Sequence, residues 1–129
     1  MEVKDSGNRQ RWDTGAQRDI QVGKGRFDLL QMFALEEVAK VNEAGAVKYD
    51  ARNWEKGIPL SRFADSALRH FMKYIRGDRD EPHDAMAAWN ILCLIDTRRR
   101  IELGILPISL NDLPRNELVV SSDAEASKV

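Results

Sequence analysis

Carboxylates are the first residues in this chain that could do chemistry. Glu36 and Glu37 sit side by side in the apolar run Phe33-Ala-Leu-Glu-Glu-Val-Ala39, and Glu43 follows Glu36 one heptad later. On a helix that spacing puts Glu36 and Glu43 on one face. Asp65 comes next, and Asp78, Asp80, Glu81 and Asp84 crowd one polar stretch. Hard cations such as magnesium and manganese take several oxygen ligands, and a helical bundle can supply them from facing helices. Mid-helix glutamates are more commonly solvated and paired with a lysine such as Lys40, three or four positions on. Spacing alone leaves both roles open.

Cationic, polar and aromatic residues form the second group. Lys24 and Arg26 flank Gly25, Lys48 and Tyr49 close the first apolar-periodic segment, and Arg69 and His70 lie between apolar neighbours. Phosphate oxygens take such donors beside a flexible glycine backbone. The same residues also suit a solvated linker and an arginine whose stem lies along apolar surface. Asn53 and Trp54 share a loop containing Gly57 and Pro59, while Trp89 and Asn90 sit in an apolar segment. A buried amide must find partners, so Asn90 either meets a ligand or staples two helices. Trp54 either stacks on a base or anchors packing. His70 and His83 are the only histidines. His83, in the acidic stretch, is the better placed for metal or proton transfer. The chain carries no Walker loop, no GxGxxG and no Ser/His/Asp or Cys/His nucleophile pattern.

Helices must position these groups. Leu30, Phe33 (or Ala34), Leu35, Val38, Val41 and Ala44 recur at steps of three and four, which predicts a first helix from Phe27 to Tyr49. Gly45 interrupts it at a cost of about 1 kcal/mol relative to alanine, which suggests a close backbone approach there. After a loop from Asp50 to Leu60, Ser61 is suited to cap a second helix, with Ala64, Leu68, Phe71 and Ile75 on its buried face and Gly77 at its end. Pro82 suits the first position of a third helix reaching Leu103, with Met86, Trp89, Ile91, Leu92, Leu94 and Ile95 inside. Gly104 and Pro107 end it. No segment alternates with period two for long enough to compete as a strand. The reading is an all-α helical bundle of three main helices. Residues 1–21 read as a flexible N-terminal segment, 22–106 as the helical domain and 107–129 as a C-terminal extension. A third helix apolar nearly all round is usually buried on several sides. That predicts a homo-oligomer, dimer or tetramer, whose copies share the helical core.

Composition limits what this domain can be. The chain has 129 residues, with 20 Lys and Arg against 21 Asp and Glu, a formal charge of −1. One domain of that length buries roughly two thirds of its unfolded surface. With 43% apolar and 32% charged residues it is too apolar for wholesale disorder. It lacks the excess cation that general nucleic-acid binding needs. A single cysteine, Cys93, excludes an internal disulfide framework and a cysteine zinc site. No run of apolar residues is long enough for a membrane span or a signal peptide, so the expected location is the cytoplasm.

Five blocks in order carry a resemblance. Gly23-Lys-Gly-Arg-Phe-Asp-Leu-Leu30, Gly45-Ala-Val-Lys-Tyr49, Arg52-Asn-Trp-Glu-Lys-Gly-Ile58, Asp65-Ser-Ala-Leu-Arg-His70, and His83 to Trp89-Asn90 together resemble the phage-encoded dATP/dGTP diphosphohydrolases. That family looks like a branch of the all-α, MazG-like nucleoside triphosphate pyrophosphatases, whose signature is EExxE on one helix and ExxD on another. Here Glu36-Glu37-Val-Ala-Lys40 has lysine in the last place, and Arg62-Phe-Ala-Asp65 has arginine in the first. The resemblance implies Glu36, Glu37 and Asp65 as catalytic metal ligands for two or three magnesium or manganese ions, with Glu43, Glu81 or His83 completing the set. It also implies Lys24, Arg26, Lys48 and Arg69 around the phosphates, Asn53, Trp54 and Asn90 around the base, and Tyr49 and His70 as further substrate-binding residues. The implied reaction cleaves a purine deoxynucleoside triphosphate to its monophosphate and pyrophosphate, in phage nucleotide metabolism. Two alternatives are a pyrophosphatase of this fold for another nucleotide and, given Lys40 and Arg62, a non-catalytic nucleotide sensor.

Overall fold

The computed structural model describes residues 1–115. The chain divides into two compact units, residues 1–32 and the residues from Phe33 on.

The N-terminal unit departs from the reading of an unstructured segment. Two three-residue strands, β1 (Arg9–Arg11) and β2 (Gln17–Asp19), pair antiparallel with Arg9 opposite Asp19. Polar bonds hold this hairpin, so it has no apolar alternation to read. The Trp12 and Ala16 carbonyls accept from the Gly15 and Trp12 amides across the turn, both at 3.0 Å. Asp19 accepts from the Ser6 amide at 3.1 Å and from Lys24 Nζ at 3.2 Å. The Ser6 hydroxyl, also bonded to Asp19, is the main reason its carboxyl is held down to about 2. A short 3₁₀ turn follows at Phe27–Leu29, and extended backbone at Leu30 (ψ 144°) ends it. The first α-helix therefore begins later than the apolar period suggests.

Three α-helices follow, as the sequence predicts: α1 (Met32–Lys48), α2 (Leu60–Arg76) and α3 (His83–Glu102). Gly77 closes α2 at φ 104°, a left-handed conformation open to glycine, and its amide donates to the Tyr74 carbonyl at 3.1 Å. Pro82 precedes α3, as its fixed φ favours. At the start of α2 the cap is not Ser61. Asp112, far along the chain, accepts from the Ser61 amide at 2.9 Å and from its hydroxyl. Those bonds hold the Asp112 carboxyl below the usual range.

α2 and α3 form an antiparallel hairpin, and the face they share differs from the predicted one. α2 buries Leu60, Phe63, Ala67 and His70, and α3 buries His83, Ala85, Ala87, Asn90, Cys93 and Thr97. Leu68, Phe71 and Ile75, read as core, are exposed, as are Ile91, Leu92 and Ile95. The seam takes the smaller and the polar side chains because these let two helices approach closely. α1 is more open still. Val38 is its single buried residue, and Phe33, in the predicted stripe, is 85% exposed. Gly45 was expected to meet another backbone, yet a Cβ there would touch nothing within 4 Å.

Residues 107–115 continue past α3, with a 3₁₀ turn at Ile108–Leu110. They pack on the loop between α1 and α2 at Gly57, where φ is 111° and a Cβ would lie 3.0 Å from Leu110 Cδ1. The rest of the predicted C-terminal extension, residues 116–129, lies outside the described residues.

Candidate active site

A cleft of about 1100 Å³ opens in the helical unit. α1 lines one wall with Glu37, Lys40, Asn42, Glu43, Gly45 and Lys48. The connecting loop contributes Tyr49, Arg52, Asn53, Trp54 and Glu55, and the hairpin contributes Arg62, Ser66, Glu81, Trp89 and Asn90. Carboxylates, cations and indoles thus share one space of the size that ligand pockets occupy.

The loop wall is braced from behind. Trp54 lies in a short 3₁₀ helix, Asn53–Lys56, and the Arg100 guanidinium stands 5.6 Å from its ring centroid. Arg100 donates to Asp96 at 2.7 Å and reaches Glu55 at 3.6 Å, so the cation belongs to a network and not to the ring alone. Arg52 adopts φ 63° at the head of this turn, and its guanidinium pairs with Glu55 at 2.5 Å. A non-glycine residue in that region is uncommon and costs backbone energy, a pattern concentrated at functional sites.

The two histidines form a buried pair. His70 Nδ1 and His83 Nδ1 are 2.9 Å apart, and His83 Nε2 lies 2.8 Å from Asp80 Oδ1. A carboxylate only accepts, so His83 carries its hydrogen on Nε2. With both rings neutral, its Nδ1 then accepts from His70 Nδ1–H. Burial, then the charge on Arg69, lowers the His70 pKa, which favours that neutral form. The bond to His83 lowers the Asp80 pKa. Asp80, Glu81 and His83 could place three ligand atoms within 4.8 Å of one another. His83 is fully buried, however, and both its ring nitrogens are engaged. Of the three, Glu81 is the one that lines the cleft.

The implied site residues therefore fall into two groups. Glu37, Glu43, Glu81, Lys48, Tyr49, Asn53, Trp54 and Asn90 line the cleft together. Glu36, Asp65, Arg69, His70 and His83 do not line it. Lys24 and Arg26 belong to the N-terminal unit, where Lys24 meets Asp19 and Arg26 grips Asp28 through two bonds of 2.9 and 2.8 Å. Asn90 is buried as expected, and its Nδ2 donates to the Met86 carbonyl at 2.8 Å. The sequence reading passed over Asn42, Arg52 and Trp89 as site residues. It treated Lys40 and Arg62 as departures from an acidic motif, and both line the cleft. Their spacing from Glu37 and from Ser66 was the available signal, since residues three or four apart share a helical face.

The helical unit is thus all-α, built on a hairpin, with a cleft that carries both acids and bases. The comparison with known families is specific: the family described as dATP/dGTP diphosphohydrolase, N-terminal, matches residues 14–103, well over half of the chain. The chain belongs to this family, whose description names a class of hydrolytic enzyme. No curated protein and no solved structure matches the chain. Among the described residues no helix is long and apolar enough to cross a membrane.

Proposed function

We propose that the protein hydrolyses dATP and dGTP to the monophosphate and pyrophosphate, at the cleft between α1 and the hairpin. Beside the family match, one observation carries this reading: Glu37, Glu43 and Glu81 line the same cleft as Lys40, Lys48, Arg62 and Trp54. All-oxygen donors suit magnesium or manganese, so these three cleft-lining carboxylates are our choice of ligands for two or three such ions. Bound divalent cations neutralise phosphate charge and lower the pKa of water.

The remaining chemistry belongs to the chain. Lys40, Lys48 and Arg62 hold phosphate oxygens as charge spreads over them, and they act in a partly closed site where such contacts are strong. Trp54 offers a ring face for the base. Water attacks the α-phosphorus and loses its proton to solvent, the bond from the α-phosphorus to the oxygen bridging to the β-phosphate breaks, and pyrophosphate leaves. The resemblance to phage-encoded enzymes favours a role in nucleotide-pool metabolism, in the host cytoplasm. The exposed stripe Leu68, Phe71, Met72 and Ile75 on α2 favours a homo-oligomer, because a soluble monomer seldom leaves a helix-long apolar row open.

The test is direct. Purified protein is incubated with each dNTP and NTP in magnesium and in manganese, and the products are separated by ion exchange. Monophosphate plus pyrophosphate from dATP and dGTP, with little from pyrimidines, is the expected result. Diphosphate plus phosphate would overturn attack at the α-phosphorus. Binding without turnover would favour the nucleotide sensor.

A further inference from the structure

The large cleft adjoins a smaller cavity of about 370 Å³, and three side chains line both: Asn42, Trp54 and Trp89. Trp89 Nε1 donates to Asn42 Oδ1 at 2.6 Å. An indole nitrogen can only donate, so this bond fixes which end of the amide faces it. One lone pair of the Asn42 oxygen is taken by Trp89, which fixes the oxygen toward the indole. Its Nδ2 keeps two hydrogens, and among the described residues it has no hydrogen-bond partner. Rotating the amide to present its oxygen would break the bond to Trp89. At the wall between the two cavities, therefore, the chain offers a donor and not an interchangeable amide.

We propose that Asn42 Nδ2 donates to N7 of the purine base and thereby selects purines over pyrimidines. This rests on the hydrolysis of dATP and dGTP proposed above. Adenine and guanine present opposite groups at C6, an amine in one and a carbonyl in the other, and N1 is reversed with them. A side chain fixed as a donor can satisfy both bases only at an acceptor they share. N3 and N7 are the shared acceptors. N3 lies on the sugar edge beside the deoxyribose, whereas N7 stands on the open edge of the five-membered ring. Pyrimidines have no such ring and no N7. One fixed donor thus accepts both purines and discriminates against both pyrimidines, without telling adenine from guanine. Trp54 and Trp89, lining the same wall, supply aromatic faces for a two-ring base.

The experiment replaces N7 by a carbon. Wild-type protein is assayed with dATP, dGTP, 7-deaza-dATP and 7-deaza-dGTP, and then Asn42→Ala and Trp89→Phe are assayed on the same four. One lost hydrogen bond of ordinary strength predicts a five- to tenfold lower kcat/KM for each deaza analogue with the wild type. Asn42→Ala should lower dATP and dGTP to the level of their analogues and leave the analogues unchanged. Trp89→Phe, which frees the amide to rotate, should shrink the preference for N7. Equal turnover of dATP and 7-deaza-dATP by the wild type overturns the proposal while leaving the hydrolytic reading intact. Absence of turnover on all four substrates overturns both. The wild-type comparison needs no variant to fold.

Discussion

Each helix of the α2–α3 hairpin carries about as many apolar residues as the lone helix α1, yet the two regions treat them differently. The hairpin encloses a seam of small and polar groups, with Ala67, Ala85, Ala87, Cys93 and Thr97 buried along it. Burial pushes the Cys93 thiol up to about 12, so it behaves as a small apolar residue and not a nucleophile. Among the described residues α1 buries Val38 alone, and its side-chain bond to the hairpin is that from Trp89 to Asn42. Yet α1 supplies Glu37, Lys40, Asn42, Glu43 and Lys48 to the cleft. Burial is concentrated in the hairpin, while α1, which buries little, still lines one wall of the cleft. Local stability varies across a fold in this way, and binding elements tend to come from its weaker end.

Removing one buried side chain from each region separates the two most strongly. Leu60 is 2% exposed and Val38 is 7% exposed. Truncating a fully enclosed leucine typically costs 2–5 kcal/mol. We expect about 3 kcal/mol for Leu60→Ala and about 1 kcal/mol for Val38→Ala, read from urea unfolding. Equal costs would show that α1 is built in as firmly as the hairpin.

The next effect falls on activity. Glu43→Gln keeps the shape of an exposed side chain and removes its charge. We expect kcat to fall by at least about 100-fold, equivalent to roughly 2.7 kcal/mol of barrier, with unfolding free energy changed by less than about 0.5 kcal/mol. Glu36→Gln, one heptad earlier but away from the cleft, should change kcat by less than about threefold on the same basis. If Glu36→Gln were the inactive variant and Glu43→Gln the active one, the metal ligands would follow the motif and not the cleft.

That pair of substitutions also marks where the sequence stops being readable. The helices, the Gly77 stop and the Pro82 start follow from period, propensity and backbone restriction, all local properties. Which stripe of α2 becomes core is not local. Ala64, Leu68, Phe71 and Ile75 form a better apolar row than Leu60, Phe63, Ala67 and His70, and the latter is buried because His83 across the seam satisfies His70. A histidine counts as polar until its partner is known. The cap from Asp112 is equally invisible, since it comes from beyond α3. Of the candidate site, Glu37, Glu43, Trp54 and Asn90 were legible from residue type and neighbourhood. Asn42 was not, because its meaning depends on an indole that only the fold brings to it.

The smallest effect tests the open side of α1. Gly45 lies within the helix and lines the cleft, and a Cβ there would meet nothing within 4 Å. Alanine in place of glycine inside a helix is favoured by about 1 kcal/mol. At so open a position, Gly45→Ala should therefore raise Tm by about 4 °C, by scanning calorimetry, and change KM for dATP by less than threefold. A fall in Tm would mean that another backbone occupies this space in solution. A second copy of the chain, drawn in by the exposed apolar rows of α2 and α3, is the occupant that result would point to. A dependence of Tm on protein concentration, lost in Phe71→Glu, would then identify that copy as the occupant, because association stabilises by mass action.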